Sequence, residues 1–381
     1  MTEKTASILQ SDIIDMDIEG PQSVSTYIDV DYKVSAKLER VIKNKFGTPA
    51  YRFLTGRLDF QDSIHLLMDT TSSHSILKLE KNKYTRITNT KRVNDIRYIN
   101  KFFEAVNSRL QHGGEFIGRV ETKNLRKARI LRKYPPGFNY IYYSFDFILK
   151  RIFPKLKATK KIYFYLTHGN NRVITKAEAL GRLVSCGFKI EDQKVINGYL
   201  YFVAKKEKQP LYPQTPTYGP LIRLKRVGKD GKIITVYKLR TMHPFAEYLQ
   251  AYIYEQNHLE KTGKFRNDFR ISTLGSICRK LWIDELPMLI NLARGEMKLV
   301  GVRPLSKHYF NLYSEELKEK RIKQKPGLFP PFYADLPKSL QEIMDSELKY
   351  LEAYEKHPIR TDVRYFCMAC TNIIFRRARS K

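Results

Sequence analysis

Residues 207–217 hold three prolines, Pro210, Pro213 and Pro216, among few apolar residues, and this stretch constrains the fold most. Proline cannot donate to a helix or sheet ladder, and it pushes the residue before it into extended backbone. The stretch therefore reads as a linker between two separately folded parts. A length of 381 residues suits two domains. The organisation expected is a flexible acidic leader over 1–30, a domain over 31–206, the linker over 207–217, and a second domain over 218–381. No internal repeat is evident.

In the first domain, residues 93–110 carry apolar side chains at helical spacing and run into Gly113-Gly114; residues 116–120 then read as a strand. Residues 175–186 read as a helix closed by Gly187. Strands follow over 188–191 and 199–204, with a turn at Asn197-Gly198. This order of elements resembles the C-terminal half of the class I methyltransferase fold. No glycine-rich cofactor loop precedes it. The expectation is a degenerate Rossmann-like α/β domain without methyl transfer, with an active methyltransferase as the alternative, and no function follows from the fold alone.

The formal net charge is +30. A surface that basic calls for a polyanionic neighbour: nucleic acid, an anionic bilayer face or phosphorylated substrates. Residues 137–154 are rich in aromatics and flanked by Arg132, Lys133, Lys155, Lys157, Lys160 and Lys161. Two readings fit. The segment lies in a membrane interface, with Tyr143 and Phe147 as contacts, or it packs as an amphipathic helix on its own domain. Four cysteines argue against a secreted disulfide framework. Cys367 and Cys370 form a C-x-x-C in an apolar helical run without a second pair, which reads as structural. No signal peptide is expected, and no apolar run in the sequence is long enough to make a spanning helix expected.

The second domain contains the run Lys280-Leu281-Trp282-Ile283-Asp284-Glu285-Leu286-Pro287-Met288-Leu289-Ile290-Asn291. Proline suits the first turn of a helix, and Gly295 suits its end, so a helix is expected over 286–294. Asp284 and Glu285 then lie at its positive end. Taken alone, that is an N-cap with a charged neighbour. Lys238 and Arg240 sit two apart at the end of a strand from Ile233 and project from one face. Gly228 and Gly231 shape a hairpin turn around Lys229-Asp230.

The motifs Arg226-Val227-Gly228, Tyr237-Lys238-Leu239-Arg240-Thr241-Met242, Asp268-Phe269-Arg270, the acidic run above, and Gly301-Val302-Arg303-Pro304 occur in one order. In that order and spacing, residues 217–325 resemble the bacterial sugar transferase family, the monotopic polyprenyl-phosphate phosphoglycosyl transferases. The resemblance implies a compact α+β catalytic domain. It implies transfer of a sugar-1-phosphate from a UDP-sugar to membrane polyprenyl phosphate, initiating a capsule, exopolysaccharide or O-antigen. Asp284 would be the nucleophile, forming a phospho-aspartate, and Glu285 would help hold Mg²⁺. Lys238, Arg240 and Arg303 would grip phosphate, with Arg270 and Arg279 as further candidates. The expected location is the cytoplasmic face of a bacterial inner membrane, peripheral or monotopic, on an anionic surface.

Three departures accompany the resemblance. The polar linker stands where the family carries a hydrophobic re-entrant helix. Val302 replaces the first proline of Pro-Arg-Pro. Lys325-Pro326-Gly327 continues into Leu328-Phe329-Pro330-Pro331-Phe332-Tyr333 rather than a tryptophan-containing stretch. In that last segment Phe329 and Phe332 are candidate membrane contacts, and an ordinary packed loop fits as well. A non-enzymatic scaffold of the same fold is the alternative function. Nucleic-acid binding rests on net charge alone and is not expected.

Overall fold

A computed structural model describes residues 27–30, 43–55, 65–211, 219–257 and 268–375. It divides into two compact units. One comprises Met1–Pro216 with Pro244–Tyr252; the other comprises Thr217–His243 with Ile253–Lys381. Most of the leader and the proline-rich core of the linker lie outside the described residues. The last four leader residues, expected to be flexible, instead form a strand, β1 (Tyr27–Val30), paired antiparallel with β2 (His65–Met68). Of the linker, Glu207 and Lys208 still donate backbone N–H groups to the Gly187 carbonyl.

The first unit is built on a six-stranded sheet in the order β1-β2-β3-β4-β6-β5. Strands β2, β3 (Tyr84–Arg92) and β4 (Leu110–Val120) run parallel. Helices Ser73–Leu77 and Ile99–Arg109 occupy the crossovers between them. β5 (Phe188–Ile196) and β6 (Tyr199–Lys206) form the hairpin expected at Asn197-Gly198, where both residues take positive φ. β6 inserts between β4 and β5, antiparallel to both. The result is a Rossmann-like α/β sheet. Its core includes Phe102, Phe103, Phe116 and Phe202, all buried, with ring centroids 5.6–6.4 Å apart.

Two local expectations shift. The Gly113-Gly114 pair lies inside β4 rather than between helix and strand. Gly114 is there because backbone carbonyls of Gln111 and Thr85 approach to 3.0 Å of where a Cβ would stand. The helix Lys176–Ser185 matches its expected span, capped by Thr175. It also carries Gly181 at its middle, a position that ordinarily weakens a helix. A Cβ there would overlap the carbonyl of Phe245, which is buried in the same unit with Arg182 lying 4.3 Å over its ring.

The second unit holds the hairpin β7 (Leu221–Val227) and β8 (Ile233–Leu239), and a short parallel pair, β9 (Lys298–Val300) with β10 (Gly327–Phe329). The hairpin turn has the expected form, with Asp230 and Gly231 at positive φ. Helices Leu340–Lys356 and Pro358–Ile374 complete it. Val302 is buried in a cluster with Val300, Leu305, Tyr313 and Tyr350, so the residue that replaces a family proline serves as core. Cys367 and Cys370 ride on the last helix, both as free thiols. Among the described residues, no helix is long and apolar enough to cross a membrane.

Candidate active site

The acidic run does not begin as the α-helix its proline suggests. Trp282 takes a left-handed conformation, φ 61°, and the chain enters a 3₁₀ helix over Ile283–Met288 before the α-helix Leu289–Ala293. A bulky aromatic at positive φ is strained and needs support. Here Trp282 stacks on Phe329, centroids 4.8 Å apart, and its indole N–H donates to the Tyr333 hydroxyl at 3.1 Å. Pro287 lacks an N–H, so the tighter turn loses nothing at that position. Both carboxylates thereby fall inside the first helical turn, and both are buried, Asp284 at 7% exposure and Glu285 at 4%.

Asn291 sets the register between this turn and β8. It is fully buried; its side chain accepts from the Tyr237 N–H at 3.1 Å and donates to the Thr235 carbonyl at 2.7 Å. Two unpaired backbone groups of the strand are thus satisfied by one amide. The neighbouring Lys238 then reaches Glu285, Nζ to Oε1 2.6 Å. The other carboxylate oxygen of Glu285 accepts from the Tyr333 hydroxyl at 3.3 Å. Tyr333 is fixed in turn by Asn372, which donates to the carbonyls of Tyr333 and Ala334 at 2.9 and 2.8 Å.

A cavity opens beside Glu285 and Tyr333. Its polar wall is Arg226, Lys238 and Arg303, and its apolar wall includes Leu224, Val236 and Met288. Arg226 is the residue that sequence reasoning passed over as part of a turn motif. Burial, and the charge of Arg303, push the Arg226 guanidinium below its usual value. Two guanidiniums at one cavity offer planar donors of the kind that suit phosphate oxygens. Asp284 does not line this cavity. Burial pushes its carboxyl upward, the adjacent Glu285 adds to that, and Lys238 and Arg279 pull the other way.

The remaining candidates are not brought into the cavity wall. Arg240 donates to the Gly219 carbonyl at 2.9 Å, because β8 ends at Leu239 and the one-face alternation stops there. Arg270 is buried and chelated by Asp268 at 2.7–3.0 Å, which makes it a brace for its loop. Arg279 donates to the Thr241 hydroxyl at 3.0 Å and acts on Asp284 through its charge. Its helix, Thr273–Lys280, is docked by Ser272 and by Gly275, where a Cβ would overlap the Thr241 carbonyl.

Of the membrane-contact candidates, Phe332 is buried and Phe329 is packed between Trp282 and Phe366, so neither presents a free face. Exposed apolar side chains near the carboxylates are Leu286, Leu289 and Ile290. Their signal was the apolar content flanking Pro287, in which Leu286, Leu289 and Ile290 lie off the side held by Asn291. In the first unit, Tyr143 and Phe147 are half-buried and pack on each other at 6.1 Å.

Buried paired carboxylates beside arginines and a lysine have the chemistry to neutralise and hold phosphate oxygens. Residues 214–376 match the family described as bacterial sugar transferase. Galactosyl transferase CpsE of Streptococcus agalactiae is 38% identical over 114 residues, 29% of this chain and 25% of that protein. Undecaprenyl-phosphate galactose phosphotransferase of Salmonella typhimurium is 35% identical over 123 residues, 31% and 26% of the two. UDP-glucose:undecaprenyl-phosphate glucose-1-phosphate transferase of Caulobacter vibrioides is 36% identical over 113 residues, 29% and 39%. The chain thus spans between about a quarter and a half of the curated relatives it matches. Among solved structures, geranyl diphosphate C-methyltransferase of Streptomyces coelicolor is similar at 11% identity and a TM-score of 0.20, over 34% of this chain and 52% of that one. At that level nothing about function follows.

Proposed function

We propose that the second unit transfers a sugar-1-phosphate from a UDP-sugar to membrane polyprenyl phosphate, initiating a surface polysaccharide at the cytoplasmic face of a bacterial inner membrane. The observation that carries the reading is the buried Asp284–Glu285 pair beside Arg226, Lys238 and Arg303, within a segment that matches the sugar transferases.

In this reading the Asp284 carboxylate attacks the sugar-proximal phosphorus. The P–O bond to the nucleoside monophosphate breaks and that nucleotide leaves. An oxygen of the lipid phosphate then attacks the phospho-aspartate, and the carboxylate is released. Attack by an anion on an anion requires that the phosphate oxygens be neutralised. Arg226 and Arg303 supply fixed positive charge at the cavity, and Lys238 supplies a mobile ammonium that is held by Glu285 until phosphate competes for it. Exposed Leu286, Leu289 and Ile290 give a polyprenyl chain an apolar approach to the carboxylates.

The residues fit Mg²⁺. Among the described residues no cluster of three or more His, Cys, Asp or Glu is present to form a protein cage. Mg²⁺ needs only one or two carboxylates when substrate phosphates complete its shell. Asp284 and Glu285 are such a set, and Asp284 is under-neutralised where it stands. Bound there, the ion would neutralise diphosphate charge.

A catalytically inert scaffold is the second reading, favoured by Asp284 standing outside the cavity wall. The test is nucleoside monophosphate release from a panel of UDP-sugars with polyprenyl phosphate and Mg²⁺, in the wild type and Asp284→Asn. Release that needs lipid and metal and vanishes in the variant supports the transferase. A folded protein that releases nothing from any donor selects the scaffold.

A further inference from the structure

The helical segment 138–152 in the first unit is amphipathic the wrong way round for a packed helix. It runs as an α-helix over Phe138–Phe147 and a π-helical turn over Ile148–Ile152. Its buried residues are Asn139, Asp146 and Arg151, all polar. Its exposed stripe is Phe138, Ile141, Phe145, Ile148 and Ile152, spaced three and four apart along one face. Ile141 is 69% exposed and Phe145 65%.

The inward face is pinned by charge. Arg126 grips Asp146 bidentately at 2.6 and 2.7 Å, and Asn139 donates to the Leu131 carbonyl at 3.0 Å. Arg151 donates to the Val173 carbonyl at 3.0 Å and pairs with buried Glu178. Those bonds fix the rotation of the segment, so the apolar stripe cannot turn inward without stranding buried charges. The following helix, Lys157–Thr167, buries Tyr163 and also turns apolar side chains outward. Ile162, Tyr165 and Leu166 are 63%, 80% and 70% exposed.

An outward apolar face of this size needs an apolar partner. The charge beside it names the partner. Lys160 and Lys161 are exposed on the second helix, and Arg132 and Lys133 are exposed at the end of the helix preceding the segment. Lys127 lies over the rings of Tyr140 and Tyr143 at 5.9 and 5.6 Å. Apolar and aromatic side chains bordered by lysine and arginine match the boundary between acyl chains and anionic headgroups.

We propose that residues 138–166 of the first unit form a docking surface for an anionic lipid bilayer, entering the interface with the Phe138–Ile152 stripe and Ile162, Tyr165 and Leu166. This deepens the transferase reading, and rests on it only for which membrane is met. It gives the first unit a role that its Rossmann-like sheet does not disclose, and it needs no spanning helix.

The test is flotation of the full chain with phosphatidylcholine vesicles carrying 0 or about 30% phosphatidylglycerol. Wild type should float with the anionic vesicles and lose binding as salt is raised through about 0.5 M. The double variant Ile141→Ser/Phe145→Ser should bind at least about tenfold less. Lys160→Glu/Lys161→Glu should bind anionic vesicles several-fold less, with unchanged melting temperature. Asp284→Asn should float like the wild type. Undiminished flotation of the Ile141/Phe145 variant overturns the proposal. So does a wild type that self-associates in light scattering and is dispersed by the same variant without change in flotation, since the occupant would then be a second copy. Flotation without turnover leaves this surface standing and removes the transferase; turnover on detergent-dispersed lipid without flotation does the reverse.

Discussion

The first unit buries its carboxylates against matching cations, and the candidate site of the second treats Asp284 oppositely. In the first, Asp146 and Glu121 are met by Arg126, with Arg129 on Glu121 at 2.6 Å, and Glu178 is met by Arg151, Lys155 and Arg182. Burial alone would raise the Asp146 and Glu178 carboxyls, but those cations carry both below the usual range. In the second, Asp284 is buried beside another carboxylate and lies above its usual value, while Arg226 and Arg303 repel each other across a cavity. A matched set of charges is finished by the fold itself. A carboxyl raised by burial and a like-charged neighbour is not finished in that way, and in the proposed transfer a sugar diphosphate with its cation would complete it.

That contrast is broken most directly at Asp284. Asp284→Asn should lower turnover by about 10³-fold or more, because no nucleophile remains, while the melting temperature holds or rises as a buried like charge is removed. Nucleotide release and a thermal melt read the two effects. A large drop in melting temperature would place Asp284 with the structural carboxylates instead. Arg126→Met is the mirror experiment. It leaves buried Asp146 to Lys150 alone and Glu121 to Arg129 alone, so about 2–4 kcal/mol of stability should be lost, seen in denaturant titration, with turnover per folded molecule unchanged.

Acid should sharpen the comparison further. His65, at the start of β2, bonds to the Thr88 hydroxyl at 2.9 Å; burial, then the charge of Arg86, push it down to about 4. The unfolded chain takes up this proton near pH 6.5 and the folded chain only near 4. Stability is therefore complete above 6.5 and declines as pH falls toward 4. At about 1.4 kcal/mol per pH unit, about 3 kcal/mol is lost over that window. Glu178, held well below its usual value, continues the loss at still lower pH, since its contribution exists above the ordinary carboxylate range and goes as the folded group protonates. Thermal melts at pH 7.5, 5.5 and 4.5 should show the decline, and His65→Gln should flatten it between 6.5 and 4. An equal slope in that variant would remove His65 as the cause.

Legibility followed the range of the interactions. The helix Lys176–Ser185 was readable because its stop signals are local, Thr175 before it and Gly187 after. So was the hairpin at Asn197-Gly198. The acidic run was readable as chemistry but not as backbone, because the left-handed turn at Trp282 is supported by Phe329 and Tyr333, far along the chain. Lys238 was picked out by motif and stands 2.6 Å from Glu285 at the cavity wall, whereas Arg270 has the same charge and is consumed by Asp268 two residues away. The inverted face of residues 138–152 was half legible. Its aromatic content was visible, yet the stripe that faces out could be assigned only once Arg126 and Glu178 were seen to hold the polar side in.

The smallest expected effect tests how the site is aimed. The Tyr333 hydroxyl accepts from Trp282 and donates to Glu285, so it ties the strained residue before the carboxylates to the second carboxylate itself. Tyr333→Phe keeps the ring packing and removes both bonds, leaving the half-buried Trp282 indole N–H without this partner. Stability should fall by about 1–2 kcal/mol. Turnover should fall about threefold to tenfold, with a raised Mg²⁺ requirement, if the hydroxyl positions Glu285. A purely structural hydroxyl would move the melt and leave the Mg²⁺ dependence where it was. Trp282→Phe distinguishes the two ends of the link, since it also loses the indole donor but leaves the bond from Tyr333 to Glu285 intact. Its melt should fall while its Mg²⁺ dependence stays with the wild type. Equal shifts in both variants would mean that the strained turn, rather than the bond to Glu285, aims the site.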